Sequence, residues 1–430
     1  MGIDISRRGF LTAGGSLGLL AVSAVVPASA APLARPPKTA TELARDEGFW
    51  STVAAQYEVT DRITNLENGY WGIMAAPVRQ TYKSLSDRVN RENTWFARRR
   101  LTETLDGVRA RVAEFLGVGD DEIVVTRGAT ETLQALIAGY NKLKPGDTVL
   151  YADLDYSEMK NAMRWLAERR GVNVVKINFP EPASRPAVID MYARAFEENP
   201  GLKMMLMTHL NNWTGLISPV AEVAEMARAR GIDIILDAAH SVGQVDFNMA
   251  DLGCDFIGVN LHKWVGAPIG CGVMYIRRKR IADIDTYLGK TPGSPDIAAR
   301  IDTGTANWAA YMTIPAALDF HNSIGTANKQ ARLRYLRDLW VGEMRGRRGI
   351  DVLTPDDADM VAGLTSFRLN GERTTEGNNA LVRRLADDFG VLTVRRTGPA
   401  AGDCIRVTPA VYNTPADVMK LVAALKTMAG

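Results

Sequence analysis

Residues Ile232-Asp233-Ile234-Ile235-Leu236-Asp237-Ala238-Ala239-His240 decide the fold. A short apolar run stops abruptly at a carboxylate, and a run of this length reads as a strand buried on both faces. The same pattern repeats outward. Towards the N-terminus, residues 123–126, 148–151, 172–177 and 203–210 read as strands, and residues 130–143, 157–170 and 220–230 as helices. Towards the C-terminus, residues 256–259 and 272–276 are two further strands that flank Lys263. Strand and helix alternating at this pitch predict an α/β fold built on a mostly parallel sheet flanked by helices. The sheet-bearing large domain is expected over residues 65–305 and a smaller C-terminal α+β domain over 306–430. Residues 31–64 read as a Pro- and Ala-rich linker followed by a helical segment, expected to pack with the smaller domain.

In such sheets, ligands bind where the strands end. Asp237 directly follows Leu236, and a carboxylate there is costly unless a cation meets it; as an alternative it caps the turn that follows. Lys263, 26 residues later, again follows an apolar run. A desolvated lysine loses proton affinity and can form a Schiff base with an aldehyde, although most single lysines are surface residues. Gly128-Ala129-Thr130-Glu131 joins a strand to a helix, where free N–H groups and the helix dipole suit a phosphate. Such turns are common, so it is the three features together that carry weight. A lysine, a carboxylate for a pyridinium nitrogen and a phosphate cradle are what pyridoxal 5′-phosphate requires.

Several longer stretches carry a family resemblance: Leu66-Glu67-Asn68-Gly69-Tyr70-Trp71-Gly72, Trp95-Phe96-Ala97-Arg98-Arg99, Arg127–Glu131, Asp237–Gly243 and Arg406-Val407-Thr408-Pro409-Ala410-Val411-Tyr412-Asn413-Thr414. Together they resemble the class V aminotransferase group of fold-type-I pyridoxal-phosphate enzymes, in its isopenicillin N epimerase-like branch. The resemblance implies roles. Lys263 is the Schiff-base lysine and catalytic acid/base, and Asp237 the partner of the pyridinium nitrogen. His240 and Asn212 reach the ring's phenolic oxygen, and Tyr156 stacks on the ring. Gly128, Ala129 and Thr130 hold the phosphate, with Asn260 and His262 as further contacts. Gly304 and Thr305 reach the phosphate of a second subunit, which implies a homodimer. Arg406 grips the substrate carboxylate, and Asn68, Trp71 and Arg98 line the substrate site, with Trp95 and Trp308 as further specificity positions. Epimerase or transaminase chemistry on an amino acid or peptide-like substrate follows, with a C–S or β-elimination lyase as an alternative and an idle binding protein as a remote one.

One departure narrows the choice. Cysteine desulfurases carry a reactive cysteine on a loop shortly before the carboxylate-binding arginine, whereas residues 395–403 here contain none. Cys404 lies two residues before Arg406 and reads, like Cys254 and Cys271, as a small buried residue. His209 reads as structural and His321 as a helix-surface or packing residue. No HExxH or CxxC pattern supports metal catalysis.

The chain has 430 residues, 46% hydrophobic and 23% charged, with a formal net charge of +2. That composition is globular, and the charge balance does not favour nucleic acid as a partner. Ser6-Arg7-Arg8-Gly9-Phe10-Leu11, an apolar run and Pro27-Ala28-Ser29-Ala30 resemble a twin-arginine export signal cleaved near Ala30. The expectation is a periplasmic or extracellular protein that engages the twin-arginine translocation machinery. Export also suggests a siderophore- or peptide-tailoring role, similar to that of periplasmic pyridoxal-phosphate enzymes.

Overall fold

The computed structural model describes residues 33–302 and 304–429; the predicted export signal lies outside them. The chain opens with helices α1 (Ala40–Ala44) and α2 (Glu47–Ala54), the short strand β1 (Thr64–Asn65) and the long helices α3 (Ala76–Arg99) and α4 (Leu101–Leu116). Thr39 and Glu42 form a capping box on α1, and Asp46 accepts from Phe49 N to cap α2.

Seven strands then alternate with four helices: β2 (Ile123–Thr126), α5 (Ala129–Gly139), β3 (Thr148–Ala152), α6 (Ser157–Arg170), β4 (Asn173–Ile177), α7 (Arg185–Glu198), β5 (Leu202–Thr208), α8 (Val220–Ala229), β6 (Asp233–Asp237), β7 (Phe256–Asn260) and β8 (Gly272–Ile276). They form one sheet in the order β2-β8-β7-β6-β5-β3-β4, parallel except for β8, which runs antiparallel to both neighbours. The central strand is β6, and its side chains alternate between two cores. Ile234 and Leu236 join the cluster on one face of the sheet, and Ile235 joins the cluster on the other. Both faces are covered, which is why these strands read as unbroken apolar runs. Leu206, Leu236 and Ile257 are fully buried, and truncating any of them to alanine would cost about 2–5 kcal/mol.

The remainder comprises α9 (Trp308–Ile324), α10 (Thr326–Met344), β9 (Ile350–Val352), β10 (Thr365–Leu369), α11 (Thr375–Phe389), β11 (Val391–Leu392), β12 (Val394–Arg396), β13 (Cys404–Val407) and α12 (Pro415–Ala429). Strands β12-β13-β10-β9 form an antiparallel sheet with its own core around Trp340, Phe367 and Leu425.

The packing divides the chain differently from the boundaries expected at 64/65 and 305/306. Strand β1 pairs with β11, and Leu66 is buried in the smaller core. Helix α9 sends Ala310, Ile314, Ala317 and Leu318 into a core of the large sheet. The helices α1 and α2 lie between the two units, where Trp50 and Val53 share a cluster with Leu210, Trp264, Leu333 and Val411.

Candidate active site

A cavity of about 960 Å³ opens at the carboxyl ends of β5, β6 and β7. Three groups from separate elements meet on it. Asp237 ends β6; its Oδ1 accepts from Ala239 N at 2.9 Å, and among the described residues no donor meets its other oxygen. Burial raises the carboxyl above its usual range, and the nearby Lys263 charge opposes that shift. Lys263 sits on the loop after β7, its Nζ 2.9 Å from His240 Nε2. Burial pushes the ammonium down to about 8, against the Asp237 charge, which favours it. At the start of α5, the N–H groups of Thr130 and Glu131 have no acceptor among the described residues.

His240 has a defined orientation. The Trp264 indole, which can only donate, reaches His240 Nδ1 at 3.4 Å. Nδ1 is therefore assigned as the acceptor, and the proton of the neutral ring goes on Nε2, facing Lys263. Burial, followed by the Lys263 charge, keeps the ring's proton affinity well below normal, so the neutral form holds. Next to the site, Asp155 accepts from Thr208 Oγ1 at 2.7 Å and from Ala152 N at 2.7 Å. Burial raises this carboxyl to about 7, which limits the negative charge competing with Asp237.

The turn that opens α5 is held from below. Asn260 Oδ1 accepts from Ala129 N at 2.8 Å, so this side chain positions the turn. His262 Nδ1 lies 2.8 Å from the Cys271 carbonyl, and its ring lines the cavity. A Cβ on Gly272 would meet Gly128 Cα at 2.5 Å, so β8 presses directly against the turn.

Most of the residues singled out in the sequence converge on this cavity: Gly128, Ala129, Thr130, Tyr156, Asn212, Asp237, His240, Asn260, His262, Lys263 and Trp71 all line it. Burial lifts the Tyr156 phenol to about 12, so it stays neutral. The Asn212 side chain makes no hydrogen bond among the described residues, while its carbonyl accepts from Arg406.

Others are placed elsewhere. Asn68 is buried and committed to structure: its amide donates to the Thr408 carbonyl at 2.9 Å, and its oxygen accepts from the Tyr412 hydroxyl. Arg98 is exposed near the end of α3. Gly304 and Thr305 are exposed and do not line the cavity of their own chain. Arg406 is fully buried on β13, bonded to Glu67 and to the Asn212 carbonyl, and does not line the cavity. Trp95 is also exposed, 62% accessible, away from the cavity.

Several contributors escaped the sequence reading. Arg396 lines the cavity, as do Tyr70, Trp165, Ile269, Tyr287 and Leu288, which give its mouth an apolar and aromatic character. Gly72 is a contact the sequence motif hid: a Cβ there would lie 2.0 Å from the Lys263 carbonyl, and Gly72 N donates to the His262 carbonyl at 2.8 Å. That glycine is what lets residues 66–72 lie against the lysine segment. Cys254, Cys271 and Cys404 are free thiols, all buried and none lining the cavity.

The aminotransferase class-V family model matches residues 75–421. The chain is 25% identical to an isopenicillin N epimerase of Streptomyces clavuligerus over 403 residues, covering 89% of this chain and 98% of that protein. Among solved structures, the cysteine desulfurase CsdA of Escherichia coli superposes with a TM-score of 0.75 at 21% identity, covering 88% of this chain and 98% of that one. The cystine C–S lyase C-DES, with glycine covalently linked to its pyridoxal-phosphate cofactor, superposes with a TM-score of 0.74 at 21% identity, covering 87% and 99%.

Proposed function

The chain belongs to the class V aminotransferase family, and from that premise we propose an enzyme acting at the amino group and Cα of an amino acid or peptide-like substrate, with epimerase or transaminase chemistry. Its cofactor is pyridoxal 5′-phosphate. The site fits that group: among the described residues, Asp237 offers a buried carboxylate oxygen that no donor meets, the start of α5 offers free N–H groups, and Lys263 offers an amine of lowered proton affinity. When bound, the cofactor supplies an electron sink for charge developing at the substrate Cα.

The chain's own residues supply the rest. Asp237 holds a proton on a ring nitrogen placed against it. The N–H groups of Thr130 and Glu131 bind an anionic phosphate. Lys263 Nζ, neutral near and above pH 8, can take a proton from Cα and return it. His240 keeps its Nε2 proton directed at Lys263 and the cavity, because Trp264 occupies the other ring nitrogen.

The single observation carrying this reading is the convergence of Lys263, Asp237 and the α5 N-terminus on one cavity. Mixing the purified, cofactor-loaded protein with candidate amines in D₂O tests it. Deuterium at Cα with the amine retained marks epimerisation, and a keto acid marks transamination. Release of a β-substituent would replace both with a lyase. No exchange and no product with any primary amine would overturn the reading.

Export and dimerisation belong to the same proposal. The paired Arg7-Arg8 support secretion by the twin-arginine route. Replacing them with Lys-Lys in a fusion of residues 1–35 to a reporter should block delivery, and unchanged delivery would refute export. Exposed Gly304 and Thr305 are available to reach the site of a second copy; sedimentation of the loaded protein as a monomer would refute the dimer.

A further inference from the structure

Two arginines and one glutamate form a cluster behind the cavity that the chemistry above leaves unused. Strands β12 and β13 pair antiparallel with Val394 opposite Arg406 and Arg396 opposite Cys404. Directly opposed residues share a face, and side chains two apart on one strand do too. Arg396 and Arg406 therefore project from the same face of the small sheet. Glu67, just after β1, reaches them both. Its Oε1 accepts from Arg396 Nη2 at 3.0 Å and also from Arg406 Nη2, and its Oε2 accepts from Gly69 N at 3.1 Å.

The two arginines are not equivalent. Arg406 is sealed in. Its Nη1 is spent on the Asn212 carbonyl at 2.8 Å, and Gly69 lies so close that a Cβ there would meet Nη2 at 2.5 Å. Arg396 lines the cavity with a side chain 19% accessible, against 0% for Arg406, and Glu67 is the acceptor on its Nη2; the Nε of each arginine is buried without a partner among the described residues. The part of the cluster that reaches the cavity thus belongs to Arg396. An anion entering there meets two cations already sharing one carboxylate, so the triad offers a net single positive charge.

We propose that Glu67 is a specificity-determining residue: by neutralising one of the two arginines it makes the cavity select a ligand with a single carboxylate, received on Arg396, over one with a dianionic head. This deepens the function proposed above and rests on that reading for its substrate class. The physical reason is desolvation. A buried cluster is stable when its charges balance, and a second negative charge would be buried without a partner. With glutamine in place of Glu67 the cluster would carry two positive charges, and the balance would shift towards a dianion.

The test uses two amine-free probes that differ by one carboxylate, 3-phenylpropionate and benzylmalonate, titrated calorimetrically into the cofactor-loaded protein at neutral pH. The wild-type protein is expected to bind 3-phenylpropionate the more tightly. Glu67→Gln should raise the benzylmalonate-to-phenylpropionate affinity ratio by roughly tenfold or more, and Arg396→Gln should weaken 3-phenylpropionate by roughly tenfold or more. The double variant should lose the gain in ratio. Tighter wild-type binding of benzylmalonate overturns the proposal whether or not the variants fold. So does an unchanged ratio in a folded Glu67→Gln protein, or an Arg396→Gln protein that binds both probes normally. Neither probe can react through an amine, so these outcomes are independent of whether L-phenylalanine perturbs the cofactor's visible band, which tests the enzymatic reading itself.

Discussion

The molecule buries two lysine–histidine pairs. Lys263 Nζ lies 2.9 Å from His240 Nε2, and Lys329 Nζ lies 3.0 Å from His321 Nδ1. Burial lowers the proton affinity of all four groups, bringing Lys263 to about 8 and Lys329 to about 7. By titration alone the second pair would look like the better catalytic candidate. It is not one, because Lys329 donates to the Trp264 carbonyl, His321 Nε2 bonds Thr326 Oγ1 at 2.9 Å, and neither residue lines the cavity. The pairs even share an element: Lys329 holds the backbone of Trp264, whose indole orients His240. A lowered lysine thus marks function only where a cavity and a counter-charge accompany it. Lys263 has both, the latter in Asp237; Lys329 has a carbonyl and is a positioning residue.

The largest effect should come from Lys263→Ala. Borohydride should no longer fix the cofactor to the chain, and turnover should fall by ~10³-fold or more. Lys329→Met should leave that covalent attachment intact, and its loss in Lys329→Met would collapse the distinction between the pairs. Asp237→Asn comes next. It keeps an acceptor for Ala239 N but removes the charge, so turnover should drop about 10²–10³-fold. The cofactor-free protein should stay as stable as wild type or gain slightly, since burial costs this carboxylate more than the Lys263 charge returns; marked destabilisation in thermal melts would count against the role given to Asp237.

A smaller effect tests the link between the pairs. Trp264→Phe retains a ring but deletes the donor to His240 Nδ1, and should lower turnover about tenfold. Nitrogen-15 spectra of a chain with only four histidines should show His240 changing from a single Nε2–H form to a tautomer mixture. An unchanged spectrum would remove Trp264 from the site.

The last effect is on the pH dependence of stability. A lysine whose folded pKa is lowered from 10.5 to about 7 binds fewer protons folded than unfolded across that interval. The penalty for Lys329 is therefore fully present below about pH 7 and is relieved as pH rises towards 10.5, so wild-type stability should climb across this window. Lys329→Met should flatten the climb. Lys263 adds a similar rise from about 8 upward in the cofactor-free protein, and that part should survive in Lys329→Met.

Much of the sheet was legible because its strands are buried on both faces and its helices punctuate them regularly. Residues 157–170 and 272–276 coincide with α6 and β8. The placement of Asp237 and Lys263 on the cavity was legible for the same reason, since a polar residue directly after an apolar run must lie at a strand end. The substrate side was not. Asn68 and Arg406 belong to motifs that resemble a known family, but the Asn68 amide is spent on Thr408 and Tyr412, and both Arg406 Nη atoms on Glu67 and the Asn212 carbonyl. Arg396 carried a signal that went unused: it lies two residues from Val394, which the antiparallel register sets opposite Arg406.

The sequence by itself determined the α/β alternation, the three strand-end features that meet on the cavity and the absence of a loop cysteine in residues 395–403, because each depends on local order along the chain. Tertiary structure decided which of two buried lysines meets a cavity, which of two arginines faces it, and that Glu67 stands between them. Those outcomes depend on which side chains the packing seals from one another, and elements hundreds of residues apart, such as β1 and β13, set that packing only once the chain has folded.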